Sequence, residues 1–178
     1  MLLLGWVVGT GSTPVDNWFS QDAREAIGEH PGWLLVFTGW WVLGPVLAAC
    51  VGVALYRRQW RLAVVALVCP LVTIEIGEAF KRLFDRRNGD YLEYPSGHTA
   101  LVVAVLGMVV LVAGGRLWAV IVAVVVSTLG MLGLIACGYH YFTDTLGAVL
   151  LATALVCSAA RLVGCVPACR ASPFPDGE

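Results

Sequence analysis

The sequence predicts an all-α fold, a polytopic transmembrane helical bundle. Three observations carry that expectation. The 178 residues are 59% hydrophobic and 13% charged, with a mean hydropathy of +0.83, which is too apolar for a soluble domain of this size. The apolar residues fall into successive runs near the ~20 residues that carry a helix across ~30 Å of hydrocarbon. The polar residues gather in the short turns between those runs.

Taken in order, residues 1–14 form a short N-terminal apolar segment. Its first eight residues are too few to span alone. They carry no basic stretch and no small-residue cleavage site, so a signal peptide fits poorly. They read either as the end of a helix that starts upstream or as a short tilted one. Residues 15–31 carry Asp16, Asp22, Arg24, Glu25 and Glu29, with Trp18, Phe19, Ala23 and Ile27 at helical spacing. That pattern predicts an external amphipathic helix lying in the membrane interface.

Residues 32–164 form the transmembrane core. Five full spans are expected, at about 33–56, 62–80, 99–113, 117–138 and 143–163, or six if the N-terminal segment also crosses. Cys50, Cys69, Cys137 and Cys157 lie inside apolar runs and read as small buried hydrophobes. Residues 165–178 read as a disordered cytoplasmic tail. Cys165 and Cys169 there lack the further ligands that a four-coordinate zinc site needs. No disulfide framework is legible.

Arginine placement sets the orientation. Arg57, Arg58 and Arg61 share one loop, Arg116 lies two turns later, and Arg161 and Arg170 follow the last span. The positive-inside rule makes these regions and the C-terminus cytoplasmic in a plasma or inner membrane. The amphipathic segment, the 81–99 loop and the turn at residues 140–144 then face the other side. A net charge of -1 gives no support for nucleic-acid binding.

Two histidine clusters therefore meet at one membrane face. In Pro95-Ser96-Gly97-His98-Thr99, Ser96 is placed to cap the following helix. A helix N-terminus binds phosphate through its unpaired N–H groups and its dipole. His98 would stand beside that anion with a pKa suited to proton transfer near neutrality. In His140-Tyr141-Phe142-Thr143-Asp144, the histidine and aspartate share a face if the segment is helical. A carboxylate on one ring nitrogen leaves the other free to attack phosphorus. The 81–99 loop adds Lys81, the only lysine, with Arg82, Arg86 and Arg87. Four cations suit an anion site and would repel a divalent metal from a His98–His140–Asp144 triad, so phosphoryl transfer is preferred to a metal centre. Glu78 lies within helical reach of Lys81 and Arg82 and reads as their ion-pair partner. Glu75 has no partner in sequence.

These residues resemble the type 2 phosphatidic acid phosphatase superfamily, which also includes vanadium haloperoxidases and glucose-6-phosphatase. That family has three signatures: a lysine with a following arginine-proline, Pro-Ser-Gly-His, and Ser-Arg followed by histidine and aspartate. The second is complete at Pro95–His98, and the histidine-aspartate half of the third at His140 and Asp144. In the first, Lys81 is present, but the arginine position falls on Asn88, with Arg86 and Arg87 just before it. In the third, Gly133 and Leu134 replace Ser-Arg.

The resemblance implies a metal-independent phosphatase with no cofactor, acting on a lipid phosphate held in the bilayer. His140 would be the nucleophile, Asp144 its orienting carboxylate and His98 the proton donor to the leaving oxygen. Lys81, Arg86 or Arg87, Ser96 and the Gly97 amide would hold the phosphoryl oxygens, with Arg82 and Glu78 in support. Candidate substrates are polyprenyl pyrophosphates or phosphosugars, phosphatidic acid and phosphatidylglycerol phosphate. The alternatives are a lipid phosphotransferase and a degenerate lipid-phosphate-binding protein.

Overall fold

The computed structural model describes residues 1–164 apart from residues 10, 29, 89 and 90. The expectations for Glu29, Cys165, Cys169 and the 165–178 tail lie outside the described residues. Seven α-helices are described, with one 3-10 turn and a two-stranded hairpin: α1 Leu2–Val8, α2 Pro14–Ile27, the 3-10 turn Gly32–Thr38, α3 Trp40–Tyr56, α4 Trp60–Phe84, β1 Arg87–Asn88, β2 Tyr91–Leu92, α5 Gly97–Val112, α6 Leu117–Ala136 and α7 Phe142–Leu162.

Among the described residues, four helical segments are long and apolar enough to cross a membrane: Gly32–Tyr56, Trp60–Phe84, Leu117–Ala136 and Phe142–Leu162. The chain therefore has the character of an integral membrane protein. The expected third span is α5, which has 16 residues; at 1.5 Å per residue that is about 24 Å. Ser96 fixes its start and the Gly114–Gly115 turn, both at positive φ, ends it. This short helix is the hub of the bundle. It packs against α3, α4, α6 and α7 and buries Ala100, Val102, Ala104, Val105 and Met108. α1 has seven residues, about 10 Å of helix, and cannot span alone.

The first expected span is two pieces. Gly39 separates the 3-10 turn from α3, and the turn lies against α6. A Cβ on Gly133 would stand 2.6 Å from the Leu34 Cβ, and one on Gly130 2.9 Å from the Thr38 methyl. Two glycines on α6 thus make the groove the turn occupies.

α4 runs one turn further than its apolar run. Lys81 and Arg82 occupy its last turn, where cations complement the helix dipole. Glu75 is exposed on α4. Of the cysteines, Cys50 and Cys69 are buried as expected, whereas Cys157 is exposed.

Arg57 donates to the Val112 carbonyl at 2.8 Å. Cys50, Ala54, Leu62, Ala63 and Val112 cluster there with Val163 alongside. The arginine loops therefore share one end of the bundle. Both histidine clusters lie at the opposite end.

Candidate active site

Each site residue is placed by a local structural device. Ser96 caps α5, its Oγ accepting from the Thr99 N–H at 3.3 Å. Its own N–H donates to the Asp144 carbonyl at 3.2 Å, tying the two histidine motifs together. Lys81 approaches the same turn from α4. A Cβ on Gly97 would lie 3.6 Å from Lys81 Nζ, so the ammonium stands over the glycine. Glu78 accepts from that ammonium at 2.7 Å, as the sequence predicts.

His98 and His140 come together, with ring centroids 6.0 Å apart and planes inclined by 57°. His140 Nδ1 contacts Glu93 Oε2, and both side chains are largely buried. The hairpin places that carboxylate. Its register pairs Arg87 with Leu92 and Asn88 with Tyr91, and the Glu93 N–H extends it by donating to the Arg86 carbonyl at 2.8 Å. Glu93 is thereby returned alongside Arg86.

Arg86 is fully buried. Its Nη1 donates to Asp144 Oδ1 at 2.7 Å and to Thr143 Oγ1 at 2.6 Å. Its Nη2 donates to Asp16 Oδ2 at 2.7 Å and to the Gly11 carbonyl at 2.9 Å. The Tyr141 ring covers one face, 4.8 Å away. Asp16 is equally enclosed. It accepts from the N–H and hydroxyl of Thr143 and from those of Thr13. The Asp16 N–H donates in return to Thr13 Oγ1 at 3.2 Å, which with the Thr13 N–H bond closes a capping box at the start of α2. Burial works against its charge, but the hydrogen bonds from Thr143 and Thr13 outweigh it and hold the carboxyl below its ordinary value.

Tyr94 completes the floor. Its ring fits between Gly5 and Gly147, where a Cβ would come within 2.8 Å and 2.5 Å of ring atoms. Burial, and then the Asp144 charge, push its phenol up to about 12 against the opposing pull of Arg86.

Three expectations change in this geometry. His140 and Asp144 do not share a helical face, because Gly138 turns the chain at φ +75 and α7 begins only at Phe142. Asp144 instead accepts from Arg86 and, through Oδ2, from the Tyr141 N–H at 3.1 Å. The carboxylate against His140 is Glu93. Arg86, expected at the phosphate, has both Nη groups committed inside the protein. Arg87 pairs with Asp85 at 2.9 Å on the surface. Arg82 is exposed.

The amphipathic segment, to which the sequence assigns no site residue, supplies Asp16. It also supplies Phe19, stacked on Phe142 at 3.8 Å, and Ala23, buried against Ile135 and Ala136. Thr13-x-x-Asp16 before an amphipathic run was the signal for that helix start. Nothing near Glu93 signals its partner, because the hairpin alone brings it back.

The two imidazoles open onto different surroundings. A cavity of about 410 Å³ beside His98 is mainly apolar, with Leu35, Trp40, Leu101 and Leu134 in its wall. A cavity of about 500 Å³ beside His140 is more polar, with Asn17, Ser20, Gln21 and Arg24. Donor atoms of Glu93, His140 and Asp144 lie within 4.8 Å of one another, close enough to hold a cation. Both Asp144 oxygens are already taken by Arg86 and the Tyr141 amide, which leaves a poor donor set for a metal.

No curated protein and no solved structure matches the chain at a significant level. The family model of the PAP2 superfamily matches residues 46–165, two-thirds of the sequence and all of the histidine signatures. The chain belongs to the PAP2 superfamily.

Proposed function

We propose that this protein is an integral-membrane lipid phosphate phosphatase working through a phosphohistidine on His140. Members of the superfamily are generally phosphatases. The observation that carries the reading is the pair of imidazoles 6.0 Å apart, one of them against a buried carboxylate.

His140 Nε2 attacks phosphorus while the bond from phosphorus to the lipid oxygen breaks, and His98 gives that oxygen its proton. Neutral His98 then takes a proton from water. The resulting hydroxide attacks phosphorus, the N–P bond breaks and inorganic phosphate leaves. Glu93 on Nδ1 fixes the tautomer of His140 and stabilises its cationic form, the part a carboxylate plays in other histidine dyads. Lys81, Ser96 and the Gly97 amide at the α5 N-terminus hold the phosphoryl oxygens. Arg86 and Asp144 position the loops rather than touch substrate.

The apolar cavity at His98 supports a hydrocarbon leaving group, since the proton donor stands beside the leaving oxygen. The positive-inside pattern supports a site on the non-cytoplasmic face. The substitution of Leu134 for the family's arginine favours one competing reading, a protein that binds a lipid phosphate without cleaving it.

The test is phosphate release by the detergent-purified protein in EDTA, over a panel of polyprenyl and glycerolipid phosphates. Release is expected without added metal, and His140→Ala and His98→Ala abolish it. Release that survives both substitutions overturns the mechanism. Lipid-phosphate binding with no release from the wild type supports the binding reading, and transfer to an added alcohol identifies a phosphotransferase.

A further inference from the structure

The family's third signature carries an arginine that this chain lacks. Leu134 in its place is 2% exposed, and the neighbouring Gly133 is packed under Leu34. The arginines of the 81–99 loop do not fill the gap. Arg86 is sealed between Asp16 and Asp144, and Arg87 faces Asp85 at the surface.

Another arginine reaches the site from α2. Arg24 donates from Nε to the Ala136 carbonyl at 3.2 Å, which anchors it on the C-terminal end of α6. Its Nη2 lies so near Gly138 that a Cβ there would stand 3.1 Å away. Glycine at that position thus serves both the positive φ of the turn and the approach of the guanidinium. With Nε held by the Ala136 carbonyl, Arg24 lines the cavity that His140, Asn17 and Gln21 also line. Glu25 also lines that cavity, but its Oε1 accepts from Gln21 Nε2 at 2.9 Å.

We propose that Arg24 replaces the missing signature arginine and binds the phosphoryl oxygens of the lipid phosphate at His140, an assignment that rests on the phosphatase reading above. A guanidinium suits this task because its planar fork reaches two oxygens of one phosphoryl group. Its charge comes from α2 and that of Lys81 from α4, so two separate elements hold the developing negative charge. The amphipathic helix is then a wall of the binding site.

Calorimetric titration of the detergent-solubilised full chain with orthovanadate, beside phosphate-release kinetics, tests this. Arg24→Ala is expected to weaken vanadate binding on the order of tenfold to a hundredfold, the range for a hydrogen-bonded charge. Arg24→Lys is expected to recover part of the loss, and millimolar guanidinium to restore phosphate release in Arg24→Ala. Glu25→Gln removes a competing negative charge and is expected to tighten vanadate binding about threefold. Wild-type vanadate affinity in Arg24→Ala, or weaker binding in Glu25→Gln, overturns the assignment and leaves the phosphatase reading standing. A wild-type protein that neither binds vanadate nor releases phosphate overturns both.

Discussion

Arg86 shows how one side chain can belong to a site without facing its substrate. It is enclosed with two carboxylates, and the geometry is close to ideal at 2.7 Å for each pair. Removing one member of a buried ion cluster leaves unpaired charge and costs about 3–5 kcal/mol. Arg86→Ala should therefore lower the thermal unfolding midpoint sharply, and Arg86→Lys should recover little of it, because an ammonium cannot reach both carboxylates in the same planar fork. Asp16 adds a pH dependence of defined sign. Its folded carboxyl lies below the unfolded value, so its stabilising contribution is complete above ~3.9 and fades as the pH falls through the folded value. The stability gap between wild type and Asp16→Asn should narrow over that acid range in unfolding measurements. Glu93 and Asp144 should separate by readout. Glu93→Gln is expected to reduce phosphate release by about a hundredfold, within the range for a positioned acid–base partner, with little change in unfolding midpoint. Asp144→Asn should lower the midpoint. The residue types at this site were legible in the sequence, since histidines and a lysine are scarce in so apolar a chain. Their pairing was not, because His140 and Asp144 are equally compatible with a helical turn and with a helix that starts after the histidine.

At the scale of the element, the helices follow from hydropathy and their ends from a few local signals. Ser96 before the α5 run and the Gly114–Gly115 pair after it mark its two ends, within two residues of the span read from hydropathy. The α2 helix was visible in the spacing of Trp18, Phe19, Ala23 and Ile27. Its destination was not, because an apolar stripe records that a face is covered and not by what. The 3-10 turn was hidden for a similar reason: Gly32–Thr38 is as apolar as the helix it precedes, and only the glycine groove on α6 explains why it stands apart. That groove yields a prediction. Gly133→Ser restores the family's serine but places a Cβ 2.6 Å from that of Leu34. Overpacking of this kind costs about 1–3 kcal/mol, so the variant should unfold at lower temperature with no gain in phosphate release.

For the whole molecule, the alternation of arginine-rich and histidine-bearing turns was enough to place the two clusters at one end, and the structure gathers them there. The same pattern supports a testable orientation. In a cysteine-free background, Tyr91→Cys should react with an impermeant maleimide from outside intact cells. Arg58→Cys should react only after the membrane is opened. Reversal of the two results would put the site on the cytoplasmic side.

The Arg86 cluster also bears on how the chain is made. Its members come from residues 16, 86 and 144, so the guanidinium gains its second carboxylate only when the last helix has been threaded into the bilayer. A chain arrested after α6 would hold the arginine with only one of its two carboxylates. Docking of α7 would then be the step that completes the cluster and locks the three distant stretches of chain together.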